Sequence, residues 1–189
     1  MPKELVRCQW CLKDEQEMHY HDLEWGVPVH DDNKHFEFIV LDTFQAGLSW
    51  RTILHKREHF RKAFDQFNYK KIAKYDDTKI QALLQNEGII RNKLKINATV
   101  TNAKAFIAIQ KEFGSFDAYI WKFVNFKTIN NKVKLHEHIK PTSKESDAMS
   151  KDLYARGFKF VGSTICYAYM QAAGLVNDHL TACFRYKQV

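Results

Sequence analysis

The sequence predicts an all-α fold, and three observations carry that prediction. Apolar residues recur at helical spacing through most of the chain, as at Ile80, Leu83 and Leu84, or Met149 and Leu153. No segment shows a convincing alternation of apolar and polar residues that would mark a strand. Glycine and proline are scarce, 7 and 3 in 189 residues, so few helical patterns are interrupted.

The elements follow in order. Residues 1–32 are expected to be irregular, with Cys8-Gln9-Trp10-Cys11 near the start. A helix is predicted from about Asn33 to Ala46, with Asp31 or Asp32 as N-cap and Gly47 as its stop. Ser49 caps a second helix carrying Ile53, Leu54, Phe60, Ala63 and Phe64. A short helix covers about Lys70 to Lys74, and another about Asp77 to Gln85. Gly88 breaks the pattern before a long helix from about Arg91 to Phe113, and Phe116 to Val124 continues as helix. The polar stretch 125–141, ending at Pro141, is the best candidate loop. Thr142-Ser-Lys-Glu145 is a capping-box signal before a helix that Gly157 ends. Thr164 to Ala173 is an apolar helix ended by Gly174, and a last turn carries His179 and Cys183.

Composition bounds the function classes. The length suits one core, or two lobes sharing one, so residues 1–189 are taken as a single domain. No apolar run approaches the roughly 18 residues of a membrane span. The N-terminal Lys3, Glu4 and Arg7 leave no room for an apolar leader, so a cytoplasmic location and reduced or metal-bound cysteines are expected. A net charge of +7 permits a polyanionic partner but does not identify one.

Chemistry concentrates in residues 19–50. Tyr20, Trp25 and Trp50 flank a helix whose Phe36, Phe38, Ile39, Val40, Leu41 and Phe44 are apolar almost all round. Asp42 lies inside that helix, either on an exposed rim or buried, where a carboxylate needs a reason to be. His179 and Cys183, spaced i and i+4, would share a helical face and offer two metal ligands, although a pair at this spacing is usually incidental. By spacing alone their partners are Cys8 with His21, or Cys8 with Cys11, and His19 is also within reach. A tight turn at Gly88 opening a helix with Arg91, Lys93 and Lys95 suits a phosphate.

The segments YHDLEWGVP, FQAGLSW, GIIRNKLKI and RGFKFVGSTICYAYMQAAGLVNDH, with Cys183, resemble the bacterial 3-methyladenine DNA glycosylase I (TAG) family from about Arg7 onward. The resemblance implies a helix-hairpin-helix glycosylase fold, with that element at about 80–113 contacting DNA through Gly88, Ile90, Arg91 and Lys93. It implies structural Zn2+ held by Cys8, His21, His179 and Cys183, not Cys11, joining the chain ends. It implies that Tyr20 and Trp50 stack on the damaged base, that Trp10 and Leu48 line the pocket or its mouth, and that position 42 reads the base edge, with Trp25 completing the aromatic set the residues themselves suggest. The family pattern has Glu there, and Asp42 is shorter by roughly 1.5 Å.

The activity so implied is hydrolysis of the N-glycosidic bond of 3-methyladenine in alkylated double-stranded DNA. It leaves an abasic site without nicking the strand, and the enzyme is expected to be a monomer. Two other readings stand beside it: a protein that binds alkylated DNA without excision, and a hydrolase with catalytic zinc. The second would need a vacant coordination position that four protein ligands do not leave.

Overall fold

The structure, a computed structural model, describes residues 5–189. The expectation that Lys3 and Glu4 belong to no apolar leader lies outside the described residues. Among the described residues, nine α-helices carry the fold: α1 (Glu15–Leu23), α2 (Asp32–Gln45), α3 (Trp50–Ala63), α4 (Tyr69–Ile72), α5 (Asp77–Gln85), α6 (Lys93–Phe113), α7 (Phe116–Trp121), α8 (Lys144–Ala155) and α9 (Ser163–Ala172). None of them is long and apolar enough to cross a membrane.

Helix α2 is the centre, packed against α3, α6, α7 and α9. Every residue from His35 to Phe44 is buried, as its all-round apolar pattern demands. Each large apolar side chain there stabilises the fold by roughly 1.5–3 kcal/mol. Asp31 accepts from the Lys34 N–H and starts the helix. Its other end is closed by Lys95, whose ammonium reaches back from α6 to donate to the carbonyls of Phe44 and Ala46. Lys95 is therefore buried and bound, and is removed from the predicted basic cluster beside Gly88.

An ion network ties α1 and α3 to α2. Arg57 donates both terminal nitrogens to Glu24, at 2.8 and 2.7 Å, and its Nε to Glu37 at 2.6 Å. Arg61 reinforces Glu37 and Lys34 reinforces Glu24. Burial pushes the Glu24 carboxyl up, but the hydrogen bonds and charge of Arg57, with Lys34, bring it down to about 2.

The sequence prediction fails in four places, each for a physical reason. Helix α1 lies inside the stretch expected to be irregular; its apolar residues show no helical stripe, and it is held by the Asp14 cap and by ion pairs instead. The predicted loop at 125–141 contains a short parallel pairing, Ile129 with Val176 and Asn130 with Asn177. The capping box is shifted by one residue: Ser143 caps α8 and exchanges hydrogen bonds with Ser146, not Thr142 with Glu145. His179 and Cys183 sit in a turn, not on a helical face.

One glycine is fixed by close approach. At Gly174 φ is +72°, and a Cβ would come within 2.5 Å of the backbone at Val27 and Pro28. There the strap from Gly26 to Val29 docks on the end of α9, donating to the carbonyls of Gln171 and Ala173.

Substituting Arg57→Met leaves Glu37 and Glu24 without their shared cation. The expected loss is about 3 kcal/mol in denaturant unfolding at neutral pH. A depressed carboxyl stabilises the fold above its ordinary value of 4.5 and ceases to do so as pH falls through about 2. The acid limb of stability between these values should therefore be shallower in the variant.

Candidate active site

Asp42 is 2% exposed, and its Oδ2 has no hydrogen-bond partner. It sits one turn beyond Phe38 and Ile39, where the apolar stripe would place another hydrophobic residue. Of the two readings open from the sequence, the structure takes burial. Desolvation alone drives its pKa well above the ordinary carboxylate range. The indole nitrogens of Trp10 and Trp50 are likewise buried without an acceptor. Each such orphan costs about 1–3 kcal/mol, so their concentration in one place marks a site kept for a ligand.

These residues surround a cavity of about 300 Å³. Tyr20 and Trp25 from α1 and its tail, Trp10, Asp42 and Gln45 from α2, and Trp50 from α3 line it. The rings of Tyr20 and Trp50 are 5.0 Å apart and inclined at 44°, and Trp10 meets Trp25 edge-on at 5.2 Å. Burial first, and then the nearby Asp42 charge, hold the Tyr20 hydroxyl far above its ordinary pKa, so it remains a donor. Asp42 also lifts Cys166, which burial has already raised, to about 12. That thiol is a core group rather than a nucleophile.

Leu48 does not line the cavity. It is 41% exposed in the loop between α2 and α3, at the corner that Lys95 fastens. Sequence reasoning missed His136 and Ile139, which reach the cavity from the predicted loop, and Ala168, Gln171 and Ala172 from α9. Glu17, also missed, is tied to Arg51 at 2.8 Å. No local pattern announces the loop residues. The α9 set lies within the RGFKFVGSTICYAYMQAAGLVNDH segment, which was the available signal.

A second cluster lies beside this wall. Cys8, His21, His179 and Cys183 are all buried, with their ligand atoms within 4.8 Å of one another. The His179 Nε2–H donates to the Trp25 carbonyl at 3.0 Å, which leaves Nδ1 free toward Cys183 and Cys8, at 3.6 and 3.8 Å. His21 is turned the other way: its Nδ1 meets Asp22 at 2.8 Å, and Nε2 faces Cys183 at 3.5 Å. Both lone pairs thus converge with two sulfurs at the edge lengths of a tetrahedron with bonds of about 2.0 and 2.3 Å. The donor set fits a metal. Cys11 is outside it, donating its thiol to the Cys8 carbonyl, and His19 is exposed.

Two helix–turn–helix corners approach the site. At the α5–α6 corner Gly88 and Ile90 are half-buried, while Arg91 and Lys93 are exposed. Its N–H groups are partly used: Asn86 accepts from Gly88, and Asn92 from Lys95. The corner joining α8 to α9, at residues 156–162, differs. Among the α-helices of the described residues, α9 alone has no side-chain N-cap, and Gly162 stands in that position. Asn102 clamps the corner by bonding Lys159 backbone N–H and carbonyl.

An aromatic cavity with one unpartnered carboxylate, inside a predominantly helical chain, has the size and chemistry to receive a planar cation such as an alkylated nucleobase. Sites of that kind are used by enzymes that act on flipped bases, DNA glycosylases among them. The family model described as methyladenine glycosylase matches residues 10–186. The DNA-3-methyladenine glycosylase of Haemophilus influenzae is 49% identical over 178 residues, covering 94% of this chain and 96% of that protein. A crystal structure of 3-methyladenine DNA glycosylase I (TAG) superposes with TM-score 0.92 at 47% identity, covering 95% of this chain and 98% of that one. A tyrosine-to-phenylalanine variant of 3-methyladenine DNA glycosylase I, solved in complex with 3-methyladenine, gives TM-score 0.91 at 32% identity over 94% and 96%. The chain belongs to the methyladenine glycosylase family.

The burial of Asp42 predicts its own pH signature. The folded state holds the Asp42 proton more tightly than the unfolded chain, so stability is lost as pH rises above 3.8 toward the raised folded value. Asp42→Asn should melt like the parent near pH 4 and above it at pH 8, by roughly 2–4 °C for each kcal/mol relieved. Equal melting temperatures at pH 8 would refute an ionisable, desolvated Asp42.

Proposed function

We propose that the chain is a monofunctional DNA-3-methyladenine glycosylase of base-excision repair, and that the cavity around Asp42 is its active site. The observation that carries this reading is a single unpartnered carboxylate buried among Tyr20, Trp10, Trp25 and Trp50. An adenine methylated at N3 is cationic while attached to its sugar, so it is already a good leaving group. The site need only take the flipped base out of the stack, hold its charge and admit water.

Each residue has a part in this. Tyr20 and Trp50 present faces to the base, and Trp10 and Trp25 complete the walls, where exclusion of water strengthens attraction for the cation. Asp42 is the catalytic group: it accepts from the exocyclic amino group and gains, on arrival of the cation, the counter-charge that its burial denies it. Leu48, exposed in the loop between α2 and α3, contacts the duplex rather than the base. Among the described residues no lysine lines the cavity, in keeping with attack by water rather than imine chemistry and with an intact strand. The shorter Asp in place of the family's Glu is accommodated by a base seated deeper toward α2.

Double-stranded DNA carrying alkylated bases lies across the mouth. Gly88, Ile90, Arg91 and Lys93 grip its backbone on one side, within a turn of the Lys95 anchor. On the other side the uncapped N-terminus of α9, with Lys159, offers N–H groups to a phosphate and has the stronger claim to the helix-hairpin-helix role. The Cys8, His21, His179 and Cys183 set holds Zn2+. When bound it supplies a crosslink between the chain ends and no reactive position, because all four places are filled by protein. The protein acts as a cytoplasmic monomer.

The test is release of free methylated bases from alkylated duplex DNA, measured by mass spectrometry. The parent should release 3-methyladenine without strand breaks, Asp42→Asn should lose about 100-fold or more in rate, and Asp42→Glu should retain it. Tight damage binding with no base released by the parent or by Asp42→Glu would instead select the non-excising reading. Metal analysis should give one zinc per chain. Cys183→Ser should abolish it and lower the melting temperature, while sparing the chemistry at temperatures where the variant stays folded.

A further inference from the structure

Gln171 was in no sequence-derived set, yet it lines the base cavity from α9. Its amide has a fixed direction. Nε2 donates to Asp178 Oδ2 at 2.8 Å. That carboxylate is 1% exposed and surrounded by donors: Oδ2 also accepts from the Tyr167 hydroxyl at 2.8 Å, and Oδ1 accepts from Asn131 Nδ2 at 2.7 Å. With three donors already on this carboxylate, turning the amide round would set two oxygens against each other. The other prong of the fork, Oε1, is left as the free end of the side chain.

We infer that Gln171, oriented by Asp178, is a specificity-determining residue that offers the base a second acceptor and so selects an amino edge over a carbonyl edge. This rests on the cavity being the base site. Adenine carries an exocyclic amino group with two N–H donors, where guanine carries the O6 acceptor. Asp42 satisfies one of those hydrogens and Gln171 Oε1 the other. A guanine methylated at N3 is also cationic and fits the same aromatic walls, but at the edge read by Asp42 and Gln171 its O6 meets an acceptor from each. A buried polar mismatch discriminates where shape alone does not.

Asp178 is the positioning residue in this arrangement and does not touch the base. It is held by three side chains and followed directly by His179, so its carboxylate has little freedom to follow a turning amide.

The experiment is competition for release of 3-methyladenine and 3-methylguanine from one methylated duplex, read as the ratio of kcat/KM values. The parent should favour 3-methyladenine. In Asp178→Asn the new amide can donate to Gln171 Oε1 and let it present Nε2 to the cavity. The ratio should fall roughly tenfold, by loss on adenine and gain on guanine. Gln171→Met removes the acceptor and one donor to Asp178, which keeps Tyr167 and Asn131, and should lower the ratio through adenine alone, so a misfolded Asp178→Asn leaves the test intact. Parent-like ratios in a folded Gln171→Met variant would overturn the inference while leaving the glycosylase reading standing. Failure of the parent to release either base would remove the glycosylase reading and this inference with it.

Discussion

A carboxylate kept dry and unpaired is the constraint on which the rest of this structure depends. Burying Asp42 opposes folding, and the surrounding helices must supply the offset. They do so through the fully buried segment of α2, through Lys95 at that helix's end, and through the Arg57 network. That network holds α1, which carries Tyr20, at a set distance from α2 and α3, which carry Asp42 and Trp50. The rigidity is functional, because a pocket that could collapse onto Asp42 would satisfy it and lose its affinity for a cation.

The site is assembled from far-apart pieces of chain. Trp10 and Tyr20 come from the beginning, Asp42 and Trp50 from the central helices, and Gln171 from near the end. The cluster of Cys8, His21, His179 and Cys183 lies behind the same wall: His179 bonds the Trp25 carbonyl, and Trp25 faces the cavity. The four-residue cluster and the pocket are therefore linked through Trp25, whose carbonyl meets His179 and whose indole faces the cavity.

How much of this was legible in the sequence depends on the kind of signal. Helix α2, its Asp31 cap and the Ser49 cap of α3 were legible because local chemistry sets them. The importance of Asp42 was visible as a charge in an apolar stripe, although burial itself was not decided by the pattern. Helix α1 was hidden because ion pairs, not an apolar face, hold it in place. Lys95 read as a surface charge because nothing local says that a helix end fifty residues earlier lacks partners. Gln171 read as an ordinary polar residue, because its role lies in the direction of its amide, which only Asp178 determines. Leu48 is legible only through the family resemblance, whereas Gly88 and Arg91 also stand out as a helix break beside a basic cluster; the open helix end at the α8–α9 corner has no local signal.

The four-residue cluster also changes what the ends of this chain can transmit. Its members come from just inside the two termini, so when a cation joins them the polypeptide between is a closed loop. Tension applied at the ends runs across the coordination bonds and bypasses the helices. A tethered or fused neighbour could tug on either terminus without moving Tyr20 against Asp42. With a cation on the four residues, a pull on segments outside Cys8 and Cys183 would be carried across the cluster rather than through the pocket.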